Sequence, residues 1–130
     1  MSVTHVAVVS VPVSDQERSK RFYSEVLGFD LVADTPFVDN QRWVQLRPPK
    51  GEASITLVTW FPDMPAGSMS GIVLECDDIE STHRELTGRG LAFTSPITKE
   101  FWGTFATFHD PDGNGWILSQ SAATAAASAT

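Results

Sequence analysis

The most constraining feature of the sequence is an order of elements that occurs twice. A valine-rich run at residues 3–13 precedes Ser14-Asp15-Gln16-Glu17, and an apolar run at 72–76 precedes Asp77-Asp78-Ile79-Glu80. Valine-dense runs favour strands with a buried face, and Ser or Asp followed three residues later by Glu is typical of a helix capping box. The two boxes begin at positions 14 and 77, which are 63 residues apart. The sequence therefore predicts one strand–helix unit written twice.

Each predicted helix carries an apolar stripe at helical spacing. The first ends at Gly28, which can adopt the left-handed conformation of a helix C-terminus, and its stripe is Phe22, Tyr23, Val26 and Leu27. The second ends near residues 88–90, and its stripe is Ile79, His83 and Leu86. Three short apolar or alternating runs follow each helix, at 29–35, 42–47 and 54–60 and again at 91–94, 102–109 and 115–120.

These patterns predict an α+β fold of two βαβββ modules within one structural domain. The first module covers residues 1–61 and the second covers 71–121, and the turn formers of 62–70 make a linker between them. Residues 122–130 are only Ala, Ser and Thr, so nothing large is available to bury and a disordered tail is expected.

Composition excludes several classes of function. The 130 residues carry a formal net charge of −7, which disfavours nucleic acid and anionic membranes as partners. The single cysteine, Cys76, can form neither an internal disulfide nor a thiolate metal cluster. The sequence also lacks an apolar run of membrane-spanning length and the charge order of a signal peptide, so we expect a cytoplasmic protein.

Short motifs add a family resemblance that extends over residues 5–120. In order, the motifs are Val11-Pro12-Val13-Ser14-Asp15, Arg21-Phe22-Tyr23, Val26-Leu27-Gly28-Phe29 and Asp110-Pro111-Asp112-Gly113-Asn114-Gly115. Together they resemble the glyoxalase/bleomycin-resistance/dioxygenase superfamily, also called vicinal oxygen chelate. The resemblance implies curved mixed sheets that form an open cavity, helices on the outer face and a homodimer.

The resemblance also identifies where enzymatic members hold a divalent metal, usually with His, Glu or Gln. The four positions fall on Val8, Thr56, Gly71 and Ile117, and none of these side chains is a plausible donor to Zn, Ni, Fe or Mn. His5 lies three residues before Val8, and this odd spacing places it on the opposite strand face unless the strand contains a bulge. We therefore expect no metal cofactor.

Aromatic side chains indicate a ligand cavity. Val44 and Leu46 form a helix-facing row in the third strand, which leaves Trp43, Gln45 and Arg47 for the cavity. The same parity argument, with the 63-residue offset for the second module, adds Thr56, Val58, Trp60, Trp102, Thr104 and Phe108. A concave surface of this kind suits a flat aromatic ligand. Ordinary core and dimer-interface packing is the alternative explanation of these aromatics.

The sequence thus favours a metal-free protein that binds a small aromatic ligand, similar to the antibiotic-sequestering members of the superfamily. The resemblance implies that the ligand lies in a cavity at the dimer interface. A metal-dependent lyase, isomerase or dioxygenase that uses His5 and unconventional donors is the alternative. A third hypothesis is metal-free catalysis with Glu75 as base, although an inward Glu75 could equally pair with Arg47 or recognise a ligand amine. Cys76 has no basic neighbour to activate it, so it is expected to be a structural residue.

Overall fold

A computed structural model describes residues 2–123 and places them in two compact units, with the division between Met69 and Ser70. Each unit is an open four-stranded mixed sheet with its own helix. The predicted α+β class with two βαβββ modules is therefore confirmed. The predicted disordered tail lies, from residue 124 onward, outside the described residues. Within residues 2–123, neither helix combines the length and the apolarity needed to cross a membrane.

The elements of the first unit are β1 (Val8–Pro12), α1 (Gln16–Arg21), β2 (Asp30–Pro36), β3 (Arg42–Arg47) and β4 (Ser54–Val58). The strand order is β1-β4-β3-β2. β1 runs parallel to β4, and the other pairs are antiparallel. The helix α1 continues directly into a π-helical turn at Phe22–Val26.

The elements of the second unit are β5 (Ser70–Glu75), α2 (Ile79–Gly88), β6 (Thr98–Glu100), β7 (Gly103–His109) and β8 (Gly115–Ser121). This unit repeats the topology of the first with the order β5-β8-β7-β6, again with a parallel pair, β5 and β8. The prediction of a strand at 91–94 was wrong. Only Phe93 forms an isolated bridge there, to Phe108, and regular pairing begins at Thr98, after Pro96, which has no backbone N–H to donate to a ladder.

Both helices begin one residue later than the sequence predicts. Asp15, not Ser14, caps α1, because its carboxylate accepts a hydrogen bond from the backbone N–H of Arg18 at 3.1 Å. In the second unit Asp78 caps α2 in the same way. Because both caps shift by one residue, the 63-residue spacing is preserved. Gly28 has the predicted left-handed backbone, with φ of 77°.

One face of the first sheet packs against α1. Val44, Leu46 and Leu57 are fully buried on that face, as the strand parity predicts. The Gln16 side chain ties the helix to two strands, because its Nε2 donates to the backbone carbonyls of Arg42 at 2.6 Å and Leu57 at 2.8 Å. The opposite face of this sheet is thereby identified as the one that carries Trp43 and Gln45.

The first predicted strand is shorter than its valine content indicates. It begins at Val8 because its partner β4 begins at Ser54, and Val8 pairs with Ser54. Val3 and Val6 are consequently exposed and lie outside the sheet.

An ion-pair cluster joins α1 to the sheet on the helix side. The Asp34 carboxylate accepts hydrogen bonds from Arg42 at 2.8 and 3.0 Å and from Lys20 at 2.8 Å. Its side chain is only 20% exposed. The Arg42 and Lys20 donors hold the pKa of Asp34 well below its usual range, against the opposing effect of burial.

Replacing this carboxylate should destabilise the first unit. We expect Asp34→Asn to lower the free energy of unfolding by about 1–3 kcal/mol, because Arg42 and Lys20 lose the partly buried negative charge that both contact and keep only the more exposed Glu17 as a carboxylate partner. The depressed pKa means that the carboxylate stabilises the folded state fully above its unfolded pKa of about 4 and progressively less as pH falls below that value. Urea unfolding of both proteins at neutral pH and at about pH 3 measures this difference.

The exposed Arg89–Glu85 pair on α2 provides the matched control. Glu85→Gln should change the unfolding free energy by about 0.5 kcal/mol or less, because exposed helix pairs are strongly screened. Equal effects of the two substitutions would contradict a structural role for Asp34.

Candidate functional site

Four aromatic side chains form a cluster in the first unit. Phe37 lies between two tryptophans, with its ring centroid 5.9 Å from that of Trp43 and 5.1 Å from that of Trp60. Phe61 extends the row, at 6.2 Å from Trp60. Phe37 is 50% exposed and Phe61 is 45% exposed. This first-unit aromatic cluster therefore offers open ring surface for stacking.

Local turn geometry positions Phe37. The backbone N–H of Phe37 donates to the carbonyl of Gln41, and that of Gln41 donates to the carbonyl of Val38, both at 2.9 Å. Asp39 and Asn40 have φ of 44° and 65°, the left-handed region that these two residue types tolerate best after glycine. From the sequence pattern, only a connection between strands is predicted for this stretch.

The Gln45 side chain contacts the cluster through Trp43. The indole Nε1 of Trp43 donates a hydrogen bond to the Gln45 Oε1 at 3.0 Å, and both side chains are partly buried. Gln45 pairs with Thr56 in the neighbouring strand. Trp43, Gln45 and Trp60 therefore lie together, as the sequence predicts for three residues of one surface.

The other predicted residues of the first unit contribute less open surface. Thr56 is almost fully buried, and its hydroxyl donates to the carbonyl of Val44 at 3.1 Å. Val58 is also almost fully buried. Arg47 is exposed at the end of β3, where its backbone position is opposite Asp30 in the register with β2.

In the second unit, Trp102 and Glu75 are associated with the sheet face that carries Phe105 and Ser119. Trp102 stacks on Phe105, with ring centroids 5.3 Å apart. Phe105 pairs with Ser119, which in turn pairs with Glu75, so these positions share a face. The Glu75 Oε1 accepts from the backbone N–H of Ser121 at 2.8 Å, which gives this carboxylate a structural hydrogen bond.

Thr104 and Phe108 lie on the opposite face, contrary to the predicted parity. Phe108 is fully buried, stacks with Trp116 and contacts Phe93. The ring centroid of Phe93 lies 4.0 Å from that of His83 on α2. Thr104 is four residues before Phe108 in the same strand and therefore shares this helix-facing side. Phe108 is a core residue of the second unit.

The predicted face of Thr104 and Phe108 was wrong because the spacing between the two repeats changes by one residue at this strand. Gln45 pairs with Thr56 and the corresponding Thr107 pairs with Ile117, so the offset at these middle strands is 62, not 63. A shift of one residue moves every side chain of a strand to the other face. The sequence shows that the offset changes along the repeat, because the caps are 63 residues apart whereas Thr56 and Ile117, the last-strand positions assigned by the resemblance, are 61 residues apart. A strand between them can therefore have an offset of 62 and the opposite parity.

The four superfamily metal positions do not fit a divalent ion. Val8, Gly71 and Ile117 carry no donor atom in their side chains, and the Thr56 hydroxyl is buried and donates to a backbone carbonyl. His5 precedes β1 and is exposed, with its Nδ1 2.9 Å from the Thr4 hydroxyl. Among residues 2–123, no three His, Cys, Asp or Glu side chains converge as a metal site would require.

Cys76 is partly buried, and burial raises the pKa of its thiol. A raised pKa leaves less thiolate at neutral pH, which disfavours a nucleophilic role.

Three comparisons place these features among known proteins. A family model described as "Glyoxalase/Bleomycin resistance protein/Dioxygenase superfamily" matches residues 2–118. TnmS3, an antibiotic binding protein from Streptomyces sp. CB03234, shows 47% sequence identity and a TM-score of 0.88, over 94% of this chain and 99% of that chain. A superfamily member from Sphaerobacter thermophilus DSM 20745 shows 34% identity and a TM-score of 0.84, over 92% and 98%. The uncharacterized protein YetH of Bacillus subtilis (strain 168) is 36% identical over 91% of this chain and 99% of its own length.

The buried Phe108 and the exposed Trp102 should differ in their contribution to stability. Phe108→Ala should lower the free energy of unfolding by about 3–5 kcal/mol, because it leaves a cavity beside Trp116. Trp102 precedes β7 and its side chain is 47% exposed, so Trp102→Ala should cost about 1 kcal/mol or less. Urea unfolding followed by far-ultraviolet circular dichroism measures both values, and a larger loss for Trp102→Ala would contradict the assignment of Phe108 to the core.

Proposed function

We propose that this protein, which belongs to the glyoxalase/bleomycin resistance protein/dioxygenase superfamily, binds a planar aromatic, antibiotic-like small molecule and sequesters it unchanged. The observation that carries the proposal is the first-unit aromatic cluster, in which two tryptophans flank a half-exposed Phe37. We expect the protein to be a cytoplasmic homodimer that holds the ligand in a cavity at the dimer interface.

The chemistry of the cluster supports a flat aromatic guest. Stacking of a ligand ring on a partly exposed side-chain ring is favourable, because it buries apolar surface and allows a favourable ring geometry. Sequestration needs affinity and abundance only, so such a site requires no acid, base or nucleophile. The similarity to TnmS3, an antibiotic binding protein that is 47% identical over almost the whole chain, supports the same class of ligand.

Charge supports a cationic guest in particular. The chain has a formal net charge of −7, so its field attracts cations at long range and repels anions. A ligand that combines a planar ring system with an ammonium group satisfies both the cluster and this field.

The residues at the superfamily metal positions support binding without a metal cofactor. Of Val8, Thr56, Gly71 and Ile117, only Thr56 has a side-chain oxygen, and that oxygen is buried. A metal centre requires three or four convergent donors. The proposal therefore assigns no metal-dependent step to this protein.

Removal of a cluster tryptophan should weaken binding of doxorubicin, a cationic planar antibiotic. We expect Trp43→Ala and Trp60→Ala each to reduce the affinity about tenfold or more, because the ligand loses a stacking surface. Isothermal titration calorimetry is the suitable measurement, because removing a tryptophan also changes intrinsic fluorescence.

Phe101→Ala is the matched control, since it removes a ring that is 93% exposed in the second unit. It should leave the affinity unchanged within about threefold. Absence of heat and of any thermal shift with wild-type protein, for doxorubicin and bleomycin alike, would contradict the proposed function.

Elemental analysis tests the metal-free part of the proposal separately. Protein purified without chelator should hold less than about one Ni, Zn, Fe or Mn ion per ten chains, because the four superfamily positions lack a donor set. Dialysis against EDTA should leave the thermal midpoint unchanged. A stoichiometric ion that resists dialysis in buffer would instead favour the metal-dependent enzyme.

A further inference from the structure

We propose that Gln45 makes the site selective for planar aromatic ligands that carry a carbonyl or other acceptor oxygen at the ring edge. The inference rests on the proposed function and names the ligand chemistry that the same site would select. Its evidence is the orientation of one side-chain amide beside the first-unit aromatic cluster.

Trp43 determines which end of the Gln45 amide faces which way. An indole Nε1 can only donate a hydrogen bond, so the atom that it contacts at 3.0 Å must be the acceptor Oε1. The alternative orientation of the amide would place two N–H donors against each other. The Nε2 group, with its two N–H donors, is therefore the end of the amide that remains for another partner.

That Nε2 group is accessible. Among residues 2–123 the structure gives it no hydrogen-bond acceptor, and over the same residues every buried side-chain nitrogen and oxygen has a partner. An unpartnered Nε2 must therefore have access to solvent. A ligand that covers Trp43 would shield the Gln45 Nε2 group from solvent. Burying an amide donor without an acceptor costs free energy.

The neighbouring polar side chain does not supply the same function. Thr56 is paired with Gln45 across the strands, but its hydroxyl proton is already given to the carbonyl of Val44 at 3.1 Å. Gln45 thus presents a donor beside Trp43 that Thr56 does not duplicate, and a ligand can supply its acceptor. Because the donor lies next to the indole on which a ring would stack, the acceptor belongs at the edge of that ring, as in a quinone or aromatic ketone.

Two matched probes test this selectivity. The compounds 2-(aminomethyl)anthraquinone and 2-(aminomethyl)anthracene share an ammonium group and three fused rings, and they differ in two carbonyl oxygens. Wild-type protein should bind the quinone about tenfold more tightly in calorimetric titration, the effect of about one hydrogen bond.

Gln45→Glu isolates the donor. Glutamate can still accept the hydrogen bond from Trp43 but presents an oxygen where Gln45 presents Nε2, so the preference for the quinone should fall to about twofold or less. Its new negative charge acts on both ammonium probes equally, so the ratio of affinities is the relevant readout. Gln45→Met, which has neither donor nor charge, should also abolish the preference.

Thr87→Glu is the control for charge. Thr87 is exposed on α2 of the second unit, so its substitution adds a negative charge without changing the cluster and should leave the tenfold preference intact. Loss of the preference in Thr87→Glu but not in Gln45→Glu would overturn the assignment. Equal affinities of wild type for both probes would overturn the carbonyl selectivity while aromatic binding stands, and absence of binding by both probes would overturn both proposals.

Discussion

The register of strand pairing is the constraint on which the rest of the structure depends. Each sheet has one face packed against its own helix, so every residue of a paired strand is assigned either to that core or to the opposite face. In the first unit this assignment buries Val44 and Leu46 and brings Trp43 beside Gln45. In the second unit it buries Phe108 and leaves Phe105 beside Trp102. The candidate site is therefore a consequence of register.

The sequence predicts the fold well because its strongest signals are local. Strand β3 has the predicted bounds, Arg42–Arg47, and Gly28 ends the first helical segment with the expected backbone. The caps are displaced by one residue, because Ser14 and Asp15 are both good N-cap residues and local preference does not separate them. The strand predicted at 91–94 fails for a non-local reason, since its pairing to β7 is interrupted around Pro96.

The candidate site is harder to predict because it depends on spacing accumulated along the chain. Trp43, Gln45 and Trp60 follow from alternation within one unit, where the helix-facing rows are clear. Phe108 requires the correct offset between two units, and a single residue of error reverses its face. Phe37 could not be predicted from the sequence for another reason. It lies in a turn, where no periodicity exists, and only the hydrogen-bonded geometry of residues 37–41 brings it against both tryptophans.

The two kinds of support around the cluster have different consequences for binding. Trp43 and Gln45 lie on β3, where Trp43 pairs with β2 and Gln45 pairs with both β2 and β4, so the amide is held within the sheet. Phe37, Trp60 and Phe61 lie outside the strands, and a hydrogen-bonded turn holds Phe37. A donor fixed within the sheet, beside rings on connecting segments, would select one feature of a ligand strictly and tolerate variation in the rest. Such a division suits a protein that sequesters a chemical class, because affinity then depends on a shared ring edge and tolerates variation elsewhere on the molecule.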